Sequence, residues 1–170
     1  MIGATALRAT VYACAFVALW IWFAYEAHLR EVSFGFPLPE WAAPIGVALM
    51  ALGLVIMAVC VATFVVRGRG TPAPFDPPRA FVASGPYRWV RNPMYIGMFT
   101  FLVGYALCAV SFPALLVAFA MLAAAHLVAV LYEEPSLARR FGEPYREYRR
   151  TTPRWIPRPP RRPARPAIGS

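Results

Sequence analysis

The sequence predicts an all-α, polytopic membrane protein with four transmembrane helices and a cytoplasmic C-terminal amphipathic helix. Three observations support this class. The 170-residue chain is 59% hydrophobic, its apolar residues fall in four blocks, and its 17 basic residues, all arginine, lie outside those blocks. Continuous apolar runs favour membrane helices over barrel strands, in which apolar and polar residues alternate.

The four apolar blocks define predicted spans at residues 9–25, 45–66, 94–110 and 114–132. A bilayer core needs about 20 apolar residues, so the second and fourth blocks meet that length and the other two are short. The first block has no convincing cleavage site after it and is interpreted as a retained helix. Residues 1–158 are therefore predicted to form a single membrane domain, followed by a flexible Pro- and Arg-rich tail at 159–170.

The distribution of charge predicts the orientation of the chain. Segments 67–93 and 133–170 are rich in arginine, whereas the segment 26–43 is acidic. Basic segments stay in the cytoplasm, so both termini are predicted to be cytoplasmic, as an even number of spans requires. We expect a multi-pass protein of a bacterial inner membrane. Its basic rim favours contact with anionic membrane lipids over nucleic acid.

The third and fourth spans are predicted to form a tight hairpin. Asn92-Pro93 is typical of a helix start, because Asn caps free N–H groups and Pro suits the first helical position. The next two spans are separated by only Ser111-Phe112-Pro113, so they should be antiparallel neighbours. Residues 92–97 should then lie at the same membrane depth as residues 132–135.

An acidic pair follows the fourth span. Glu133 and Glu134 repel each other, and the helix dipole disfavours anions at a C-terminal end. A compensating cation is therefore expected. It is either a structural ion pair with a nearby arginine or a bound ligand with cationic and hydroxyl groups.

Two further positions in the spans have open interpretations. His126 precedes Glu133 by seven residues, and an intramembrane histidine is either a site residue or a group bonded to a backbone carbonyl. Gly97 either lets helices pack closely or leaves space for a ligand. Cys14, Cys60 and Cys108 fall inside apolar blocks and predict no metal site.

A set of motif residues brackets the last two spans: Gly85-Pro86-Tyr87-Arg88, Arg91-Asn92-Pro93, Tyr95 and Gly97, then Glu133-Glu134, Leu137, Phe141-Gly142, Tyr145, Tyr148 and Pro153. In this order and spacing, the set resembles the isoprenylcysteine carboxyl methyltransferase family. Those integral membrane enzymes are related to the phospholipid N-methyltransferases. The resemblance covers about residues 81–158.

The resemblance implies S-adenosylmethionine as the methyl donor, bound at the cytoplasmic end of the last two spans under the C-terminal segment. The implied donor-binding residues are Tyr87, Asn92, Pro93, Tyr95, Gly97, Glu133 and Glu134. Such a donor fits these residues, because its ammonium, sulfonium and hydroxyl groups suit carboxylates and aromatic faces. Where an acceptor must lose a proton, His126 and Glu134 are the candidate catalytic residues.

Two departures from the family pattern concern the acceptor and the proton. The family usually has His at the position of Asn92, and asparagine cannot carry a proton near neutral pH. The prenylcysteine enzymes tend to have an arginine one turn before the acidic pair, where this chain has Leu127-Val128-Ala129-Val130. A lipid-like small-molecule acceptor is therefore favoured, with prenylcysteine carboxyl methylation as one alternative. The alternative from another class is a small transporter or channel subunit without catalysis.

Overall fold

The computed structural model describes residues 2–30, 39–68 and 81–159, and within these ranges all regular secondary structure is helical. The predicted all-α class is therefore confirmed. The predicted tail lies outside the described residues from residue 160 onward. The main helices are α1 (Ile2–Leu29), α2 (Ala43–Thr63), α3 (Pro93–Cys108), α4 (Phe112–Val128), α5 (Glu134–Phe141) and α6 (Glu143–Thr151).

Within the described ranges, three helical stretches are long and apolar enough to cross a membrane: Ala6–Leu29, Ala43–Gly68 and Phe112–Phe141. The second stretch includes a π-helix at Phe64–Gly68 after α2, and the third includes one at Ala129–Glu133 between α4 and α5. The helix that begins as α4 thus continues past the predicted end at residue 132. Helix α3 is apolar but has only 16 residues.

Helices α2 and α3 pack with their backbones in close contact. A Cβ atom added to Gly53 would lie 2.5 Å from the carbonyl oxygen of Gly97, and one added to Gly46 would lie 2.6 Å from that of Gly104. Small residues permit this approach, which is common between membrane helices. Gly97 therefore lies in close contact with α2, in agreement with the helix-packing interpretation of this residue.

Helices α3 and α4 form the predicted antiparallel hairpin. The turn ends at Ser111, whose hydroxyl accepts a hydrogen bond from the backbone N–H of Ala114 at 3.3 Å. This cap fixes the start of α4. Between these helices, the buried core consists mainly of Met98, Phe101 and Leu102 of α3 with Met121 and several alanines of α4, and Ala24 of α1 and Met57 of α2 pack against it. The hairpin brings the first turn of α3 level with the end of α4.

Candidate functional site

A cavity of about 400 Å³ lies where α3 begins and α4 ends. Its polar end is formed by the 3-10 helix Gly85–Arg88, the first turn of α3 and the segment from the π-helix into α5. Aromatic residues of α6 cover this end. The rest of the wall is largely apolar and comes mainly from α1 and α4, with contributions from Phe64, Phe81, Val82 and Met94. One cavity thus joins a polar chamber to an apolar arm.

Tyr95 and Glu133 form the central polar pair of the chamber. The Tyr95 hydroxyl donates a 2.7 Å hydrogen bond to Oε1 of Glu133. Both residues line the cavity. Within the described residues, no arginine forms an ion pair with Glu133. Among the described residues, Glu133 therefore presents to the cavity a carboxyl group that no arginine neutralises.

Glu134 has a different environment, although it is adjacent in sequence. Its Oε1 accepts hydrogen bonds from Nη1 of Arg91 at 2.8 Å and Nε of Arg154 at 2.7 Å. Nη2 of Arg154 adds a bond to Oε2 at 3.1 Å. The side chains of Glu134 and Arg91 are only 10% and 11% exposed. The structural ion pair expected for one member of the acidic pair is therefore present at Glu134, which is held by two arginines.

Glu133 and Glu134 contact different partners because consecutive residues of a helix project about 100° apart. The π-turn before them holds one residue more than an α-turn, so it sets the direction that each of them faces relative to α4. Glu133 ends this π-helix and Glu134 begins α5. The local backbone therefore sends Glu133 toward Tyr95 and Glu134 toward the arginines. π-Helical turns are frequent at functional sites.

The segment 153–158, named here the strap, crosses beside the chamber after α6. Its backbone pairs with the segment before α3: the N–H of Arg91 donates to the carbonyl of Pro153, and the N–H of Arg158 donates to that of Trp89, each at 2.9 Å. Arg154 extends from the strap to Glu134. This hydrogen bond raises the pKa of Arg154, which remains a cation.

Aromatic side chains cover the chamber on the side of α6. The Phe81 ring packs edge-on against Tyr145 and Tyr148, with ring centroids 5.9 and 5.1 Å apart. The Tyr148 hydroxyl donates a 2.7 Å hydrogen bond to the carbonyl of Tyr87. Burial raises the pKa values of Tyr87, Tyr145 and Tyr148, so all three phenols are neutral hydrogen-bond donors at physiological pH.

Comparison with protein families adds independent information about this architecture. The family model described as phospholipid methyltransferase matches residues 41–144, which is more than half of the chain. The chain belongs to the phospholipid methyltransferase family. The resemblance to the related prenylcysteine enzymes is thereby confirmed at the level of the family. No curated protein and no solved structure matches the chain.

The structure brings most predicted site residues of this phospholipid methyltransferase family member to the cavity wall. These are Tyr87, Asn92, Tyr95, Glu133 and Glu134. Pro93 and Gly97 do not line it. Pro93 is buried at the first position of α3, and Gly97 packs against α2, where an added Cβ would lie 3.0 Å from Ile56.

His126 lies away from the chamber, so the expectation that it accepts a proton there has no geometric support. Its Nδ1 accepts a 3.0 Å hydrogen bond from Nε1 of Trp155 in the strap. Both residues line a separate shallow groove on the outer side of α4. Seven residues of regular α-helix would put His126 on the same helix face as Glu133, and the intervening π-helix changes that phase.

Other residues of this family member were missed as parts of the site. The apolar residues of α1 that line the cavity lie outside the region that the family model matches, and so does Trp155, whose ring packs against Tyr95 at 6.4 Å. Arg154, which bonds Glu134 from the strap, lies outside it as well. Its position in a Pro-rich segment without helical periodicity gave no signal of a bond to Glu134.

Proposed function

We propose that this protein transfers a methyl group from S-adenosylmethionine to an apolar, membrane-partitioned acceptor at the cytoplasmic face. The observation that carries the proposal is Glu133, oriented by Tyr95 and without an arginine partner in the described ranges, in a chamber open to an apolar arm. Membership of a methyltransferase family supports the reaction class. The same membership argues against the transporter or channel alternative.

The residues of the chamber fit such a donor chemically. An uncompensated carboxylate attracts the ammonium or sulfonium of the donor and accepts hydrogen bonds from its ribose hydroxyls. The aromatic faces of Tyr87, Tyr95 and Tyr148 suit a cation or an adenine ring. Glu134 is already satisfied by Arg91 and Arg154. We therefore assign donor contact to Glu133 and assign Glu134 to holding the strap.

When bound, the donor supplies an electrophilic methyl group: its S–CH3 bond breaks as a bond from the acceptor to that carbon forms, and the sulfur keeps the electron pair as a neutral thioether. The protein residues align the two partners and exclude water. An amine or thiol acceptor must also lose a proton. Glu133 is the carboxylate in the chamber without an arginine partner among the described residues, so we propose it as the proton acceptor in place of His126 or Glu134.

The proposal includes four spans with both termini in the cytoplasm. The 16 residues of α3 reach about 24 Å at 1.5 Å per residue. This is less than the roughly 30 Å of an average bilayer core, and local thinning of the bilayer accommodates a short helix at modest cost. Helix α6 places Tyr145 inward and Arg146 and Arg150 outward, which suits a cytoplasmic membrane surface.

Among acceptors, a neutral or amine-bearing lipid is proposed over a prenylcysteine carboxylate. A carboxylate acceptor needs a free cation near the transferred methyl group. Among the described residues, Arg91 of the chamber wall and Arg154 of the strap are both engaged by Glu134. Prenylcysteine methylation therefore requires one of them to leave Glu134, which is the reason we rank it second.

Donor binding to purified protein in detergent, measured by calorimetry, tests the proposal. Glu133→Gln and Tyr95→Phe should each weaken donor affinity about tenfold or more, because each removes a hydrogen bond or charge at the donor. Glu143→Gln is the matched control, since Glu143 is exposed and pairs only with Arg146 and Arg150 in the described residues. Equal donor affinity in Glu133→Gln, Tyr95→Phe and the control would refute the assignment.

Acceptor chemistry is tested separately with methyl-labelled donor. Panels of phosphatidylethanolamine, a farnesylcysteine analogue and apolar thiols are incubated with the protein, and labelled products are separated. We expect label in the lipid or thiol panels. Label in the farnesylcysteine analogue alone would reverse the ranking of acceptors, and no label in any panel despite donor binding would place the acceptor outside these classes.

A further inference from the structure

The apolar arm of the cavity is built from one stripe on each of two helices. On α1 the stripe is aromatic and consists of Tyr12, Phe16 and Trp20, spaced four residues apart. On α4 the facing positions are Met121, Ala124, Ala125 and Val128. Residues three and four apart share a helix face, so each stripe is continuous along its helix.

The small side chains on α4 leave the arm open. Protein interiors are normally packed to the density of organic crystals, and facing apolar helices usually fill the space between them. Here Ala124 and Ala125 stand opposite aromatic residues, and the space between the stripes belongs to the cavity. Alanine side chains occupy less of the space between two helices than larger apolar residues do, and this space is bounded by apolar groups, as a hydrocarbon chain requires.

The arm leads directly to the polar pair. The ring of Phe16 lies 6.2 Å from that of Tyr95, whose hydroxyl bonds Glu133. Eleven residues separate Tyr132 from Met121 along the wall, which corresponds to about 16 Å of helix. At the far end, Met121 is 0% exposed, and Trp20 packs against Phe16 and Phe23 with ring centroids 6.4 and 5.7 Å apart.

We propose that this arm binds a single hydrocarbon chain of the methyl acceptor and that Trp20 and Met121 limit its length. The inference rests on the proposed function, because it takes the chamber at Tyr95 and Glu133 as the place of methyl transfer. A chain seated between α1 and α4 orients its polar end toward that pair. Chain length then determines whether the reactive atom reaches the donor.

The binding part of the proposal is tested without turnover, in lipid nanodiscs with donor present. The probes are straight-chain alcohols with a photoreactive diazirine at the chain end, in decyl, tetradecyl and octadecyl lengths. After illumination, labelled residues are located by mass spectrometry. In the native sequence we expect the label on residues of the arm, with deeper residues labelled by longer probes up to Trp20 and Met121.

Adjacent alanines provide a matched pair of variants. Ala124→Leu fills the arm, whereas Ala123→Leu adds the same bulk on the exposed outer side of α4. Ala124→Leu should reduce labelling of Trp20 and Met121 about tenfold, which corresponds to about 1.4 kcal/mol of binding. Ala123→Leu should leave labelling unchanged. Ala125→Leu is a second filling variant, and donor calorimetry shows whether each variant is folded.

Labelling of the arm that is equal in Ala124→Leu, Ala125→Leu and Ala123→Leu, in variants that bind donor, overturns the proposal. Labelling restricted to the lipid-exposed face of α4, such as Leu127, overturns it as well and assigns the chain to the bilayer. If the arm is labelled but no acceptor is methylated, the chain site stands and the proposed reaction fails. If methylation occurs, Ala124→Leu should shift acceptor preference to shorter chains.

Discussion

The double arginine contact of Glu134 makes a specific prediction about stability. In Glu134→Gln the side chain keeps nearly the same size but loses the charge that accepts bonds from Arg91 and Arg154. Two guanidinium groups then remain close together without a carboxylate between them. We expect a large loss of stability and release of the strap, and a smaller change in the affinity for the methyl donor.

The magnitude follows from burial. The Glu134 and Arg91 side chains are 10% and 11% exposed, and Arg154 is 30% exposed. Breaking a buried pair by removing one partner costs about 3–5 kcal/mol. Because Arg154 is more exposed, Arg154→Gln should cost less, about 1–3 kcal/mol. Glu134→Gln should therefore destabilise the protein more than Arg154→Gln does.

A double-mutant cycle with thermal unfolding in one detergent measures this effect. The destabilisation of the double variant should differ from the sum of those of Glu134→Gln and Arg154→Gln by about 0.5–3 kcal/mol, as for residues in direct contact. Hydrogen exchange reports the strap itself. The amide of Arg158, bonded to the carbonyl of Trp89, should exchange faster in each variant than in the native protein.

Glu133→Gln is the control for this cycle, since its carboxylate has no arginine partner among the described residues. It should weaken donor binding and leave strap exchange unchanged. The reasoning would be refuted if Glu134→Gln lost donor binding with native stability and native exchange at Arg158. That result would make Glu134 a donor ligand and return it to its sequence-predicted role.

Three further predictions concern packing and the covering segments. Gly53→Ala places a Cβ 2.5 Å from the carbonyl oxygen of Gly97, so its melting temperature should fall, whereas Ala51→Val on the exposed side of α2 should change it little. Trp155→Phe removes the indole N–H that bonds His126 and should lower stability by about 1 kcal/mol, measured by thermal melting. Its affinity for the methyl donor, measured by calorimetry, should be unchanged. Truncation after Arg158 should leave turnover with methyl-labelled donor unchanged, because the described strap contacts end at that residue; an inactive truncated enzyme would show that the tail completes the site.

The hairpin and its polar pair were predictable because they depend on local signals. Asn92-Pro93 sets the start of α3, although the Asn92 side chain makes no capping hydrogen bond, and the short turn at Ser111 forces antiparallel packing. These two facts alone bring Tyr95 level with Glu133. An ion pair between the acidic pair and an arginine was also predictable, because the sequence contains arginines on both sides of Glu133-Glu134.

The rest depended on contacts that leave no periodic pattern. The strap binds through backbone hydrogen bonds and a single arginine, neither of which is visible in a Pro-rich sequence. The stripe on α4 contains small apolar residues that are also common where helices pack tightly, so the sequence alone did not predict an open space beside it. The space becomes evident when this stripe is seen together with the aromatic stripe of α1. His126 was misplaced because regular spacing was applied across the π-helix Ala129–Glu133.

That π-helix makes the identity of the two carboxylates a matter of register. One residue corresponds to about 100° of rotation on a regular helix. A π-turn holds one residue more than an α-turn over the same length of helix. Deleting one residue from Ala129–Leu131 should therefore restore regular winding and leave Glu133 against Tyr95 and Glu134 against the two arginines. The helix can lose this residue without moving either carboxylate from its partner, whereas an uninterrupted α-helix that kept the residue would turn both away by about 100°.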